Sequence, residues 1–474
     1  MTVKMPKKKS CDVCIVGGGP AGLAALSAIH EPYTLDSMTS TQVNNANVTM
    51  GRRNGVGPSN HSVIVVDPSQ WMDKWASNFR TLEIDYLRSP ALAHPDHFDV
   101  NALLAYAVSQ GRENELIESG CGKIKALHGL GQTQVGLWKL PSSSLFLDFC
   151  VDLAKKLKHD YMQGCAENLR QEESGGKYTL TLSDGTEIEA SSVILALGQT
   201  GTPQLPRGLM GVVSDERIFH WKSMSSKLTP VHESVLVVGG GLTAVQVAQS
   251  ALRKGKRVVL ASRRPLVERH FDIDINWFDR RNSNLQVSSF YHLEEEERLR
   301  ALKEVRGGGS VPPIYMDDLR KWVARGLLTL VTADPEYIGE SGGRLSVALG
   351  GGSGKEFDCI ILATGIKPDC SANPFVKNII NNFSVPTVGG FPDVSVDLEW
   401  RRNLFCVGAL GSLNVGPDGA NLMGARRAAS IVANTLECKQ WLREGDQCSA
   451  LANKFHLFME DSSDSDSGSD ADGD

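Results

Sequence analysis

The stretch Cys11 to Ala25, CDVCIVGGGPAGLAA, leaves little choice of local fold. Asp12 to Val16 is a short, mostly apolar run, the pattern of a buried parallel strand. Gly17, Gly19 and Gly22 follow in G-x-G-x-x-G spacing, and the run LAALSAI after them is compatible with a helix. The spacing has a physical reason. Gly17 permits the tight turn, Gly19 lets backbone approach a pyrophosphate, and Gly22 lets the helix pack close to the strand. The helix N-terminus then offers free N–H groups and the positive end of its dipole to phosphate. Gly17, Gly19, Pro20, Ala21 and Gly22 therefore read as one dinucleotide-binding turn.

Residues 31–60 are rich in Asn, Ser, Thr and Gly and have no period, so they read as a loop insertion. The strand signal resumes at SVIVVD, which ends in Asp67. An acid at the end of the second strand takes the ribose hydroxyls in such a fold, roughly 20 residues after the glycines. The insertion accounts for the later position of Asp67.

Ser234 opens a second copy of the theme, SVLVVGGGLTAVQVAQSALRKGKRVVLASRR. Gly239, Gly241 and Ala244 give G-x-G-x-x-A between an apolar strand and a helix. The next strand ends in Ser262-Arg263-Arg264 where an acid would serve NADH. Arginine accommodates a 2′-phosphate, so the second site reads as an NADPH site with Arg263 or Arg264 on that phosphate.

Between the two copies, Trp71, Trp75 and Phe79 fall on one helical face. Core packing accounts for most of that face, and Trp75 is kept as a candidate cofactor contact. His94 is the one candidate catalytic histidine of the segment, although a lone His is more often structural. Ser183-Asp184-Gly185-Thr186 marks a hairpin, and Ser192 to Leu197 is a buried strand closing at Gly198. Arg306 to Ser310 is a Gly-rich break. Phe357 to Leu362 is a buried strand ending in Ala363-Thr364-Gly365. Leu404 to Val407 is a last strand, closing at Gly408, and a helix begins near Asn421.

No apolar run approaches the ~18 residues needed to span a bilayer. The start of the chain has lysines but no apolar signal core, and the cysteines are scattered, which together read as a cytoplasmic protein with reduced thiols. Cys11 and Cys14 form C-x-x-C, but on the first strand they read as packing residues. Residues 1–10 read as a flexible basic arm. The stretch EDSSDSDSGSDADGD carries seven acids and no core-forming residue, so it reads as a disordered acidic tail and a candidate protein-binding segment. The rest of the chain is close to neutral, which argues against a nucleic-acid partner. No metal site is expected.

The order of these motifs resembles that of the flavoproteins with two dinucleotide-binding domains. The resemblance is carried by Gly17/Gly19/Gly22, VILALG ending at Gly198, Gly239/Gly241/Ala244, ILATG (Gly365) with Pro368, and the Gly408 segment. It implies an α/β fold of two Rossmann-like domains, the NADPH domain inserted in the FAD domain. The expected boundaries are 11–225 and 356–445 for FAD and 226–355 for NADPH, with 446–474 as a C-terminal segment. FAD would occupy the first site, and the helix near Asn421 would point its N-terminus at the pyrimidine end of the flavin, favouring the anionic reduced form.

Within that group, disulfide reductases carry a redox cysteine pair on the helix after the first Gly loop, which this chain lacks. The Ala363-Thr364-Gly365 motif and the segment RSPALAHPDHFDVNALLAYA are similar to the N-hydroxylating and flavin-containing monooxygenases. This implies NADPH as hydride donor and oxygen as co-substrate, through a C4a-peroxyflavin, with an unidentified small-molecule substrate. Phe219-His220 matches the flavin-containing monooxygenase signature poorly, so no amine substrate is carried over. The layout is also similar to the oxidative-stress-induced growth inhibitor proteins. An NADPH oxidase or quinone-type reductase, and a regulatory flavoprotein acting through its acidic tail, are the alternatives.

Overall fold

The structure is a computed structural model that describes residues 7–30, 61–121, 136–171, 176–212, 214–278, 282–305, 307–351 and 354–444. The expected loop insertion 31–60, most of the basic arm and the acidic tail lie outside the described residues.

The first sheet is built around the strand Lys8–Val16. Its apolar second half is almost wholly buried, as a strand covered on both faces requires. It pairs in parallel with Val63–Asp67 on one side and Glu187–Leu195 on the other. Leu404–Cys406 extends the sheet beyond Glu187–Leu195, and Asp160–Gln163 extends it beyond Val63–Asp67, again in parallel. The Asp184-Gly185 turn joins Tyr178–Leu182 to Glu187–Leu195 as an antiparallel pair.

Two helices distant in sequence cover one face. Pro20–Ile29 carries Ala24, Ala25 and Ala28, and Leu422–Glu444 carries Ala428, Ala429 and Ala433, all buried in one core. Small side chains on both partners let the helices approach closely. The first fingerprint is thus packed under the last helix of the described chain.

The second sheet is wholly parallel, in the order Ile218–His220, Cys359–Leu362, Ser234–Val238, Arg257–Ser262, Leu328–Thr332. It recruits strands on both sides of the expected 226–355 segment. Ile218–His220 and Cys359–Leu362 join it because each supplies apolar residues to the core around Leu236 and Val238. The crossovers between the two units are Gly201–Pro203 and Ile366–Pro368, which pair antiparallel with each other. We place the division there rather than at 225/226 and 355/356.

A separate apolar cluster stitches the units together. Leu92, Trp138 and Leu140 from the first pack with Phe271, Ile273, Ile275, Trp277 and Phe278 from the second, and Leu422 and Met423 rest against it.

Two dinucleotide cradles as the candidate functional site

The first Gly loop lies where the strand Lys8–Val16 gives way to the helix Pro20–Ile29. Gly17 has φ +125°, and a side-chain carbon there would sit 2.3 Å from Ala196 O. A carbon on Gly22 would sit 1.9 Å from Gly17 O, so the helix touches the turn through bare backbone. Gly19 is different. No described atom lies within 4 Å of where its side-chain carbon would be. The loop is therefore tight at two glycines and open at the one that must meet a ligand. Pro20 stands at the first turn, where its missing N–H costs nothing. These features fit a pyrophosphate at the helix N-terminus.

Asp67 stands at the end of its strand, beside this loop. Its Oδ2 accepts the Gly18 N–H at 2.8 Å, and its Oδ1 accepts the Ser69 N–H and hydroxyl, each at 2.9 Å. A carboxylate has roughly four acceptor sites, so it retains capacity for a ribose hydroxyl. Tyr161 leans over Gly18 and donates its hydroxyl to Ser69 O at 2.7 Å. Sequence reasoning missed Tyr161, which the parallel strand Asp160–Gln163 brings alongside Val63–Asp67.

Gly408 arrives from the far end of the chain. At φ +64°, a side-chain carbon there would lie 2.9 Å from the Ala21 Cβ. The segment from Gly408 to Asn421 thus lies against the first fingerprint. It is braced by Asp418, wholly buried, which accepts two hydrogen bonds from Arg427 at 2.8 and 2.9 Å. Asn421 stands just before the helix Leu422–Glu444, and its N–H donates to Asp418 O at 2.7 Å. Its side-chain amide points to Asp272 of the second unit, at 3.2 and 3.3 Å from the two carboxylate oxygens.

Gly198 and Gly365 have φ +71° and +81°, with no described atom near their side-chain positions. Both lie at the crossovers between the units, where Gln204 N donates to Gly365 O at 3.1 Å.

Two candidates are placed elsewhere. Trp75 stacks on Phe79 with ring centroids 3.8 Å apart and leans on the fully buried Phe146. It is partly buried and packs against the first core. His94 is completely buried, with Nε2 3.1 Å from Val100 O and Nδ1 without a hydrogen-bond partner. Burial and then the Arg426 charge lower its pKa to about 3, so it is neutral at pH 7. We correct its reading as a candidate catalytic group to that of a core histidine.

In the second unit Gly239 has φ +150°, and a side-chain carbon there would lie 2.3 Å from Ala363 O and 2.9 Å from Ala244 Cβ. Gly241 caps the helix Leu242–Arg253, and Ala244 is buried. Arg263 is exposed at the end of Arg257–Ser262. Arg264 is engaged by its own chain, donating to Gly307 O and, at 3.3 Å, to Gly309 O. Sequence reasoning saw the Gly307–Gly309 run only as a break.

Arg88, also missed, ties the units together. It donates to His270 O at 2.9 Å, Arg269 O at 2.9 Å, Ser310 O at 3.1 Å and Ser310 Oγ at 2.8 Å. Desolvation, followed by the nearby Lys74, holds the pKa of Lys222 below the usual lysine range. Cys11 and Cys14 lie buried on the first strand. The described residues hold no group of three or more His, Cys, Asp or Glu suited to a metal ion. No described helix is long and apolar enough to cross a membrane.

Two sheets, each with a glycine turn feeding a helix at the end of a strand paired in parallel on both sides, define a protein with two dinucleotide-binding units. The chain belongs to the pyridine nucleotide-disulphide oxidoreductase family, whose profile matches residues 11–280. No curated protein sequence matches the chain. Among solved structures, it is similar to the ornithine N-hydroxylase of Kutzneria sp. 744, solved with reduced FAD, NADP+ and L-ornithine. That match has a TM-score of 0.65 at 15% identity and covers 91% of this chain and 100% of that one. The ornithine hydroxylase of Pseudomonas aeruginosa matches with a TM-score of 0.62 at 14% identity over 91% of this chain and 100% of its own. The L-lysine 6-monooxygenase of Pseudomonas syringae matches with a TM-score of 0.59 at 16% identity, over 90% and 99%.

Proposed function

We propose that the protein is an FAD-dependent oxidoreductase driven by NADPH, and that it acts as a monooxygenase on a small molecule. The observation that carries the reading is the pair of glycine cradles on two sheets joined through the paired crossovers Gly201–Pro203 and Ile366–Pro368. The fold shared with N-hydroxylases and a lysine monooxygenase supports the oxygenase branch. The helix after the first glycines, PAGLAALSAI, contains no cysteine, so it offers no thiol relay at that position.

FAD, when bound, accepts hydride from NADPH and delivers the electrons to oxygen, one atom of which enters the substrate while the other leaves as water. The residues of the chain do the holding. The open backbone at Gly19 admits the pyrophosphate, and Asp67 takes a ribose hydroxyl. The N-terminus of Leu422–Glu444, placed by the segment Gly408–Asn421, would favour the reduced flavin anion through its dipole. Gly239, Gly241 and Ala244 would shape the second cradle, and Arg263 or Arg264, adjacent and exposed just past Arg257–Ser262, would meet the 2′-phosphate. Apolar residues of the inter-unit cluster, with Trp138, Phe271 and Trp277 among them, keep water from the junction.

The test is to purify the protein with its flavin, record its visible spectrum, and add NADPH in air with panels of small molecules. A monooxygenase bleaches with NADPH, consumes it faster with the right substrate, and forms less than stoichiometric peroxide. Stoichiometric peroxide under every condition would assign an oxidase. A flavin that NADPH never reduces would remove the enzymatic reading.

A further inference from the structure

The two glycine cradles differ in one respect. At Gly19 no described atom occupies the space that a side chain would take, whereas the equivalent space at Gly241 faces Gly309, whose Cα is 3.8 Å away. From the other side, a side-chain carbon on Gly309 would lie 3.1 Å from Gly241 Cα and 3.7 Å from Gly241 N. A side-chain carbon on either glycine would thus touch the backbone of the other. Residues 307–310 therefore lie across the turn that a nucleotide pyrophosphate must reach.

This strap is held at both ends. Arg264 donates to Gly307 O and Gly309 O, and Gly308 rests on the guanidinium. Ser310 is buried and held by Arg88 through its carbonyl and hydroxyl. Between these points Gly307, Gly308 and Gly309 have φ +55°, +75° and +98°, conformations that a chain of glycines leaves and re-enters with little steric cost. The strap is thus anchored at Ser310, latched by Arg264 and hinged in between.

We propose that this strap is a selectivity latch, released when the 2′-phosphate of NADPH takes Arg264 from the carbonyls of Gly307 and Gly309. The inference rests on the reading of the second fingerprint as the NADPH site. A guanidinium binds a phosphate through charge-assisted, bidentate hydrogen bonds that neutral carbonyls cannot match. NADPH recovers the cost of opening the strap through that exchange. NADH presents only a ribose hydroxyl to Arg264 and recovers little of it. Discrimination then arises from a closed strap that penalises NADH as well as from a phosphate contact that favours NADPH.

The two origins separate in one experiment. Dissociation constants for NADP+ and NAD+ are measured by equilibrium dialysis on the FAD-loaded full chain, for the unmodified protein, Arg264→Ala and Gly309→Ala. Gly309→Ala presses a methyl group against Gly241 and loosens the strap while keeping Arg264. The latch predicts that NAD+ binds about tenfold more tightly to both variants, the worth of one charged hydrogen bond. NADP+ weakens with Arg264→Ala only. If NAD+ affinity is unchanged in both variants while Arg264→Ala loses NADP+, Arg264 is a simple phosphate contact and the latch is overturned. Arg264 is exposed, so its variant keeps the test decisive even if Gly309→Ala fails to fold. If none of the three proteins binds NADP+, the NADPH reading itself falls.

Discussion

Asn421 Nδ2 lies 3.2 Å from Asp272 Oδ1 and 3.3 Å from Oδ2, so the residue that opens the last helix donates to a carboxylate of the second unit. Asn421→Asp replaces this donor with a like charge. We expect a loss of about 1–3 kcal/mol in urea denaturation at pH 7. Adding Asp272→Asn exchanges the two chemistries and should restore most of that loss. A double variant no more stable than Asn421→Asp would show that the pair contributes nothing.

Gly19 and Gly22 separate binding from folding within one motif. A carbon at Gly19 meets no described atom, so Gly19→Val folds with unmodified stability and fills the pyrophosphate space instead. It should purify with little or no flavin. Gly22→Ala places a carbon 1.9 Å from Gly17 O and should fail as a fold, seen as a lowered melting temperature or insoluble protein. A flavin-replete Gly19→Val would remove the first cradle from the site.

The Asp418–Arg427 pair braces the segment that meets the first fingerprint. Removing one member of a buried ion pair costs about 3–5 kcal/mol. Arg427→Ala should therefore unfold at markedly lower denaturant, and its flavin should dissociate more readily because the Gly408 segment loses its support. Wild-type midpoint and flavin retention together would contradict this.

His94 carries a pH signature. Its pKa falls from an ordinary 6.5 to about 3 in the folded protein through burial. The unfolded chain therefore binds the extra proton first as pH falls. The neutral core histidine keeps its full contribution above about pH 6.5 and loses it as pH drops toward 3. The loss is about 3 kcal/mol by pH 4. Denaturation curves of His94→Gln should fall less steeply than wild type between pH 7 and pH 4. Parallel curves would assign the acid sensitivity elsewhere.

Much of this arrangement was legible because backbone requirements are written as glycines. Gly17, Gly22 and Gly239 sit where any side chain would collide with Ala196, Gly17 or Ala363, and their spacing announces the turn. Asp67 was legible through its strand, despite the insertion before it. Contacts between distant segments were not. Nothing local tells that Gly309 lies on Gly241, that Arg88 reaches Ser310, or that Ile218–His220 pairs with Cys359–Leu362. Trp75 and His94 were ambiguous for a related reason. An aromatic ring or an imidazole has the same local signature in a core as beside a ligand, and burial shows only that His94 lies inside the core.

The pairing of the helix Pro20–Ile29 with Leu422–Glu444 has a consequence for synthesis. Chains emerge N-terminus first, and domains fold as units once complete. All five strands of the second sheet, from Ile218 to Leu362, leave the ribosome before the first sheet receives Leu404–Cys406. The unit begun second is therefore finished first. The glycines made at the outset wait for the last described helix to cover them, and until then the alanine face of Pro20–Ile29 lacks the partner that buries it.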